Sequence, residues 1–388
     1  MAPTVMSAER AALARSLLST GAMSPDWQCS FAAVPRADFL PDVIWPFDMD
    51  TRRAVEVDRR QEPETWHRYA HEDVPIVTQW DDGAGAGPGG ESTSSASMPS
   101  VVFRMLADLD VQPGHRVLEI GTGTGWNCGL LAHRLGTEQV TSIEIDAKVA
   151  NAARDRLAAH NLLGTVLTRD GAIGDPAGAP YDRIIATAGL RRIPTAWLEQ
   201  LRLDGMIVTP WGTDYSNGDA IVRLSRCEVG VEGRFMRPAE FMKLRAQRRR
   251  FDGHSAYVPA DGIAGADRSM TKVTEADLLG ADRFDPRTFA IGLHVNSCYQ
   301  VTAARRGGDR PVWFYGLDDR SWACVMFRES GATDVWQSGP RRLWDEVESA
   351  LSWWQDLGEP DYDRLGLTVT WDGEHMAWLD SPEKAWPV

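Results

Sequence analysis

The spacing of apolar residues divides the chain into segments of two kinds. Apolar positions three and four residues apart predict an amphipathic helix over residues 7–20, and Ser7 is suited to cap it. From residue 100 to about 245, short apolar runs alternate with stretches of helical spacing. Strands and helices that alternate in this way form a parallel sheet covered on both faces. The pattern therefore predicts an α/β fold, a doubly wound Rossmann-like domain over residues 100–245.

The individual elements of this domain follow from the same pattern. Helices are predicted over residues 100–109, 125–134 and 147–160, and strands over 116–120, 139–145, 166–168, 183–187 and 206–210. Pro194 is predicted to open a further helix, because a first-turn residue needs no N–H donor.

A second pattern begins near residue 291. Strands are predicted near residues 299–303, 312–317, 322–327, 367–371 and 375–378, the last two joined by the turn signal Asp372-Gly373. A helix over residues 341–355 would place six apolar residues on one stripe: Leu343, Trp344, Val347, Ala350, Leu351 and Trp354. These elements predict a Trp-rich C-terminal α+β domain over residues 291–388.

Two segments lack such periodicity. Residues 81–97 consist almost entirely of Gly, Ala, Ser and Asp, a composition that buries too little apolar area to order itself. We predict a mobile loop there, within an N-terminal helical and irregular segment over residues 1–99. Whether the loop acts as a lid or as a passive insertion stays open. Residues 246–290 are polar and are predicted to form an irregular linker.

Composition and charge limit the classes of partner. The formal net charge of −14 argues against a nucleic-acid partner, because phosphate binding needs concentrated Lys and Arg. The five cysteines are widely spaced and lack a C-x-x-C pair, which predicts reduced thiols, no metal site and a cytoplasmic location. We see neither a secretory signal nor an apolar stretch near the ~20 residues of a membrane span.

The candidate chemistry is concentrated where the first predicted strand ends. The sequence there is Glu119-Ile-Gly-Thr-Gly-Thr-Gly125, followed by Trp126 where a dinucleotide-binding turn would have its third glycine. The turn also lacks the Lys-Ser/Thr pair of a P-loop. An acidic residue followed by spaced glycines is typical of S-adenosylmethionine sites. The predicted cofactor-binding residues of this motif are Glu119, Gly121, Thr122, Gly123, Thr124 and Gly125.

Later strand ends supply further candidates. Glu144 ends the second strand, about 20 residues beyond the glycines, where a carboxylate binds both ribose hydroxyls; Ile145 follows it. Asp170 and Gly171 follow the third strand, where a carboxylate accepts a hydrogen bond from an adenine amino group. Thr187 ends the fourth strand at the same crevice. The alternative is that Glu144 and Asp170 only cap the elements that follow them.

These motifs, in this order, resemble those of protein-L-isoaspartate O-methyltransferases. The resemblance covers residues 7–245 and includes the segments Val34–Phe39, Val74–Ile76, Val117–Trp126, Ser142–Glu144, Asp170-Gly171, Pro180–Ile185 and Leu203–Pro210. It implies that residues 1–99 belong to the methyltransferase unit. It also implies S-adenosylmethionine as cofactor, S-adenosylhomocysteine as product, and a peptide or protein substrate with an Asp or isoaspartyl carboxylate. Oligomeric state is not implied.

One motif departs from the family pattern. Family members carry a Thr-Ile-Ser-x-Pro segment whose serine lies near the methyl-accepting carboxylate, and here the segment is Ser95-Ala-Ser97-Met-Pro99. The resemblance implies that Ser97 is the catalytic residue, orienting that carboxylate by a hydrogen bond. Its alternative role is to cap the helix that begins beside Pro99.

Two substrates remain open. The altered segment and the C-terminal domain resemble longer family members of lanthipeptide and graspetide pathways. By that resemblance, the enzyme would esterify an Asp side chain of a client precursor peptide and so lead to an aspartimide. The alternative is repair of L-isoaspartyl residues in damaged proteins. A non-catalytic scaffold and a small-molecule methyltransferase are weaker alternatives, since the cofactor motif is intact and the family match is wide.

The chemistry itself needs few residues. A carboxylate is already ionised at neutral pH, so methylation requires no His-based general base. Alignment of donor and acceptor supplies most of the acceleration. Basic residues at Lys243, Arg245 and Arg248–Arg250 are candidates for attracting an acidic peptide.

Overall fold

The computed structural model describes residues 6–48, 51, 53–85, 87–260, 262–329, 331 and 333–388. Contacts divide the chain into two compact units. The first comprises Met1–Ala188, Pro194–Thr209 and Ser225–Cys227, and the second Gly189–Ile193, Pro210–Leu224 and Glu228–Val388. The units therefore interleave along the sequence, whereas we predicted consecutive domains.

The first unit begins with a small antiparallel sheet and three helices. The helices are α1 (Ala8–Ser19), α2 (Gln28–Ala33) and α3 (Pro63–Ala70), and the strands are β1 (Val43–Asp48), β2 (Arg53–Ala54), β3 (Val57–Asp58), β4 (Ile76–Trp80) and β5 (Ser92–Ala96). The strand order is β2–β1–β4–β5, with β3 paired to β1. The predicted first helix is confirmed, and the Ser7 side chain accepts a hydrogen bond from the Arg10 N–H as its cap.

Strand β5 corrects the prediction of a loop over residues 81–97. Ile76 and Val77 of β4 face Ala96 and Ser95 of β5 in an antiparallel hairpin. The connection between the strands is closed by Asp81, whose carboxylate accepts hydrogen bonds from the N–H groups of Gly90 at 3.1 Å and Glu91 at 2.8 Å. The last third of the predicted loop is thus a strand that leads directly to Ser97.

The rest of the first unit is the predicted doubly wound domain. Its elements are α4 (Pro99–Leu109), β6 (Val117–Ile120), α5 (Trp126–Leu135), β7 (Val140–Glu144), α6 (Ala147–Ala159), β8 (Thr165–Thr168), β9 (Tyr181–Ala186), α7 (Thr195–Glu199) and β10 (Leu201–Trp211). The order is β10–β9–β6–β7–β8, and all neighbouring pairs are parallel. The strand order reverses between β6 and β9, the place where such sheets bind ligands. Pro194 precedes α7 as its N-cap instead of opening its first turn.

The second unit contains two antiparallel sheets. Its elements are β11 (Asp219–Cys227), β12 (Gly230–Ala239), β13 (Asp267–Met270), α8 (Glu275–Leu279), α9 (Pro286–Gly292), β14 (Cys298–Thr302), β15 (Arg310–Gly316), β16 (Trp322–Phe327), β17 (Thr333–Ser338), α10 (Leu343–Asp356), β18 (Leu365–Thr370), β19 (His375–Leu379) and β20 (Trp386–Pro387). One sheet has the order β11–β12–β18–β19–β20 and the other β13–β17–β16–β15–β14. The C-terminal α+β prediction is confirmed, and all six residues of the predicted α10 stripe are buried.

Residues 246–290 differ from the predicted linker. They contain β13, which pairs with β17, and the helices α8 and α9. The adjoining basic residues are partly neutralised inside the second unit. Lys243 forms an ion pair with the buried Asp219, and Arg249 donates to the Ser216 carbonyl at 2.8 Å. These two residues are therefore committed to internal contacts.

Two further features concern the cysteines and the length of the helices. All five cysteines are free thiols. Over the described ranges, no helix is both long enough and apolar enough to cross a membrane.

Candidate active site

The turn after β6 is built on three glycines in the left-handed region. The φ angles are +94° at Gly121, +54° at Gly123 and +92° at Gly125, values that other L-residues rarely adopt. A Cβ atom at Gly121 would lie 2.9 Å from the Thr187 hydroxyl oxygen, so the turn also needs glycine for space. Since Thr187 follows β9, this contact joins the ends of β6 and β9 at the switch point of the sheet.

A buried polar network supports the glycine turn. Glu119 is fully enclosed, and its carboxylate accepts hydrogen bonds from the Ser142 hydroxyl and from the Asn127 side-chain amide, the latter at 2.7 Å. Ser142 also bonds to the Thr122 hydroxyl. Burial raises the pKa of Glu119 to about 7, against the opposing effect of these donors. Glu119 therefore holds the turn in place, and a direct contact with the cofactor stays a prediction.

The raised pKa of Glu119 predicts a pH-dependent stability. Between pH 4.5 and about 7, Glu119 is protonated in the folded state and ionised in the unfolded state. Its contribution to the free energy of unfolding therefore falls as the pH rises. We expect Glu119→Gln to raise the free energy of unfolding by about 1–3 kcal/mol at pH 8 and by much less at pH 5. Urea denaturation at both pH values measures the difference, and an equal effect at both would contradict it.

Glu144 lies at the end of β7, as predicted. Its carboxylate accepts hydrogen bonds from the N–H groups of Gly123 at 2.9 Å and Asp146 at 3.0 Å, and burial raises its pKa. The carboxylate is thus fixed against the glycine turn in the position of a ribose-binding residue. Ile145, with 38% of its surface exposed, follows directly.

The end of β8 supports the capping alternative for Asp170. Its carboxylate accepts a hydrogen bond from the Ala172 N–H at 2.9 Å and caps the short turn that follows. The Gly171 carbonyl accepts a hydrogen bond from the Trp197 indole at 2.9 Å. Recognition of adenine by Asp170 and Gly171 stays a prediction.

Ser97 lies between β5 and α4 and does not cap the helix. The N-cap residue of α4 is Met98, without a side-chain cap, so the alternative role for Ser97 is wrong. The half-buried hydroxyl of Ser97 makes no hydrogen bond to any described residue and is free to bind a ligand.

Arg36 positions the Ser97 segment, a role that sequence reasoning missed. Its guanidinium is completely buried and donates hydrogen bonds to four backbone carbonyls: Glu72 at 3.2 Å, Val74 at 2.9 Å, Ala96 at 3.1 Å and Ser97 at 3.0 Å. The guanidinium also lies 5.7 Å from the centre of the Trp126 ring. Burial lowers the pKa of Arg36 to about 9. The resemblance included this arginine, but no local pattern indicated its burial.

These residues fit an S-adenosylmethionine molecule. The three glycines let the turn adopt its positive-φ backbone at the switch point of the sheet, and α5 begins at Trp126 directly after it, with its free N–H groups at that end. Glu144 places a carboxylate at the adjacent strand end, and its contact with ribose hydroxyls stays a prediction. Among the residues that the structure describes, no group of three or more His, Cys, Asp or Glu could hold a metal ion.

Comparison with known proteins agrees with this geometry. Residues 51–244 match the family model described as protein-L-isoaspartate(D-aspartate) O-methyltransferase. A protein-L-isoaspartate O-methyltransferase of Jannaschia sp. is 32% identical over 176 residues, which cover 45% of this chain and 72% of the relative. The chain belongs to this family. A relative of the same name from Ignicoccus hospitalis is 38% identical over 151 residues, covering 38% of this chain and 65% of that protein.

Family membership establishes S-adenosylmethionine as the cofactor and the protein as a methyltransferase. A solved structure named protein-L-isoaspartate O-methyltransferase matches the fold over 96% of this chain and 100% of its own, with a TM-score of 0.53 and 18% sequence identity. The fold likeness therefore extends through both units. The presence of the second unit therefore does not distinguish a peptide-maturation enzyme from a repair enzyme.

Proposed function

We propose that the protein transfers the methyl group of S-adenosylmethionine to the carboxylate of an isoaspartyl or aspartyl residue in a peptide or protein. The observation that supports it most directly is the free hydroxyl of Ser97, whose backbone carbonyl Arg36 binds, two residues after Ser95, whose carbonyl lies against Gly123 of the cofactor turn. Oriented hydroxyl groups bind carboxylate oxygens well, because charge strengthens the hydrogen bond.

The reaction is an in-line displacement. A carboxylate oxygen forms a bond to the methyl carbon, the carbon–sulfur bond breaks, and its electron pair stays on sulfur. No proton moves in this step, since the carboxylate is ionised at neutral pH. In this proposal Ser97 donates a hydrogen bond to the other carboxylate oxygen and aligns the nucleophile, while the cofactor bound by the glycine turn supplies the methyl group.

The relatives favour an isoaspartyl carboxylate as the first substrate to test. Both named relatives carry the name protein-L-isoaspartate O-methyltransferase. After methylation, the next backbone nitrogen attacks the ester, methanol leaves, and a succinimide forms without further catalysis. Water then opens the succinimide to an aspartyl or an isoaspartyl residue, and repeated methylation of the isoaspartyl fraction would repair the chain.

The second candidate substrate is an ordinary Asp in a client precursor peptide, which the same chemistry converts to an aspartimide. Two observations favour it. The segment before Ser97 reads Ser95-Ala instead of the family's Thr-Ile, and the β4–β5 hairpin carries a long Gly-rich connection over residues 81–91. The first directly precedes Ser97, where a change alters which carboxylate fits; the second lies at the opposite end of the hairpin, where it would meet more distant parts of a client peptide.

Methyl transfer to paired peptides tests both candidates. We expect the full-length protein to transfer label from S-adenosylmethionine to a short isoaspartyl peptide, and Ser97→Ala to lower kcat/KM by about tenfold or more with unchanged cofactor affinity. Labelling of the matched Asp peptide instead would favour maturation. Full activity of Ser97→Ala would contradict its role, and cofactor binding without transfer to either peptide would contradict the proposed reaction on simple peptides.

A further inference from the structure

A cavity in the first unit shares one wall with the glycine turn. Its volume is about 190 Å³, and its polar lining comes from Thr78, Gln79 and Ser94 of the β4–β5 hairpin and from Lys148 and Arg156 of α6. Gly123 and Thr124 form the wall nearest the turn. No acidic side chain lines the cavity, and neither Glu144 nor Asp170 reaches it. Its lining is therefore cationic, in a chain whose net charge is −14.

Of the two cations of this cavity, Lys148 is exposed to solvent, and the charge of Asp155 favours the cationic form of Arg156. Lys148 and Arg156 lie two helical turns apart on one face of α6. Neither side chain forms a hydrogen bond or an ion pair with any residue the structure describes. Arg156 is half-buried, and burial lowers its pKa. Removing a cation from water without a partner costs free energy, and binding of an anionic ligand would offset that cost.

The opposite wall of the cavity is fixed by hydrogen bonds. Thr78 donates to the Ser94 hydroxyl at 3.2 Å, and the Thr93 hydroxyl donates to the Gln79 side-chain oxygen at 2.9 Å. The Gln79 amide donates in turn to Asp146, the N-cap of α6, at 3.3 Å. The hairpin is thereby tied to the helix that carries both cations, so the cavity is formed before a ligand arrives.

The position of the cavity relates it to the acceptor site. Ser94 lines the cavity and lies three residues before Ser97 on an extended segment. At ~3.3 Å per residue, their backbones are about 10 Å apart, the span of about three residues of an extended peptide, and because side chains alternate along a strand, a peptide that reaches both must bend around the strand. The volume of about 190 Å³ is well above the ~10–15 Å³ that a single water molecule needs by the same measure and is sufficient for an Asp or Glu side chain.

We propose that this cavity binds a carboxylate side chain of the peptide substrate, two or three residues from the residue that is methylated. Arg156 and Lys148 supply the charge, and the hairpin hydroxyl and amide groups supply further hydrogen bonds. The inference rests on the proposed function, because it assumes a peptide whose acceptor carboxylate reaches Ser97. It adds a preference for acidic substrates that the cofactor site does not explain.

A peptide scan tests the proposal. Heptapeptides carry the acceptor residue, isoaspartyl or Asp, at the centre and a single Glu at each of the six other positions in turn, with Gln in the same position as the neutral reference. We expect a Glu two or three residues from the centre, on one side, to raise kcat/KM about tenfold over Gln in the wild type. Arg156→Gln is expected to remove this preference, and Arg156→Lys to retain most of it.

The matched control is Arg104→Gln, which removes one exposed positive charge from α4 of the same unit, outside the cavity lining. It should leave the preference intact. Anisotropy of the labelled peptides in the presence of S-adenosylhomocysteine gives a binding readout that needs no turnover. Equal binding of Glu and Gln peptides, or a preference that survives Arg156→Gln, overturns the proposal. Charge-dependent binding without methyl transfer would support the cavity and count against the proposed reaction, so the two failures are distinct.

Discussion

Glu144→Ala is expected to weaken S-adenosylmethionine binding by about 100-fold. The variant loses a carboxylate suited to accept hydrogen bonds from both ribose hydroxyls, each bond to a charged group being worth about 1.5–3 kcal/mol. It also leaves the Gly123 N–H without the acceptor it has at 2.9 Å, so the glycine turn loses support as well. Titration calorimetry with S-adenosylhomocysteine measures the affinity without turnover.

Two further variants separate ribose recognition from support of the turn. Glu144→Gln keeps one oxygen acceptor for Gly123 and should lose less affinity than Glu144→Ala. Glu138→Ala removes an exposed carboxylate from the same unit and should leave affinity unchanged. If Glu144→Ala binds the cofactor as tightly as the wild type, Glu144 does not contact the ribose and only caps the following element.

Arg36→Met is expected to lower the free energy of unfolding by about 3–5 kcal/mol. Methionine fills much of the volume but donates no hydrogen bond, so four carbonyls lose the donor that Arg36 supplies at 2.9–3.2 Å, one of them buried and three partly buried. Two of them, at Ala96 and Ser97, belong to the segment that holds the proposed acceptor-binding hydroxyl. We therefore expect a higher KM for the peptide in whatever fraction of the variant still folds.

The comparison variant is Arg59→Met. Arg59 is exposed and lies 4.7 Å from the centre of the Trp66 ring, so its loss should cost about 1 kcal/mol or less. Urea denaturation with cofactor affinity measured in parallel distinguishes a stability effect from a binding effect. Similar costs for the two variants would show that the buried hydrogen bonds of Arg36 contribute little.

The parallel sheet and its glycine turn could be predicted because their signals are local. Strands β6 and β7 read Val-Leu-Glu-Ile and Val-Thr-Ser-Ile-Glu, short runs rich in apolar and β-branched residues, and the helices that follow them carry a 3.6-residue period. The cofactor turn is specified by glycines at positions where the backbone requires positive φ. The stripe of α10 was predictable for the same reason, since six apolar residues at helical spacing define one buried face.

Other elements have no local signal. Strand β5 reads Ser-Thr-Ser-Ser-Ala and forms because β4 lies beside it, and strand β13 is exposed along its whole length and forms only by pairing with β17. The role of Arg36 depends on carbonyls between 36 and 61 residues further along the chain. From composition alone, such residues are expected to be polar and exposed. Only the tertiary contacts show which of them are paired or buried.

The interleaving of the two units has a consequence for how this protein arose. The chain crosses from one unit to the other five times, after residues 188, 193, 209, 224 and 227. Residues 189–193, 210–224 and 228–244 belong to the second unit yet lie inside the family-matched region 51–244. The second unit therefore includes ancestral family sequence. A single gene fusion could not have added it whole, and a single deletion could not remove it without taking part of the inherited methyltransferase with it.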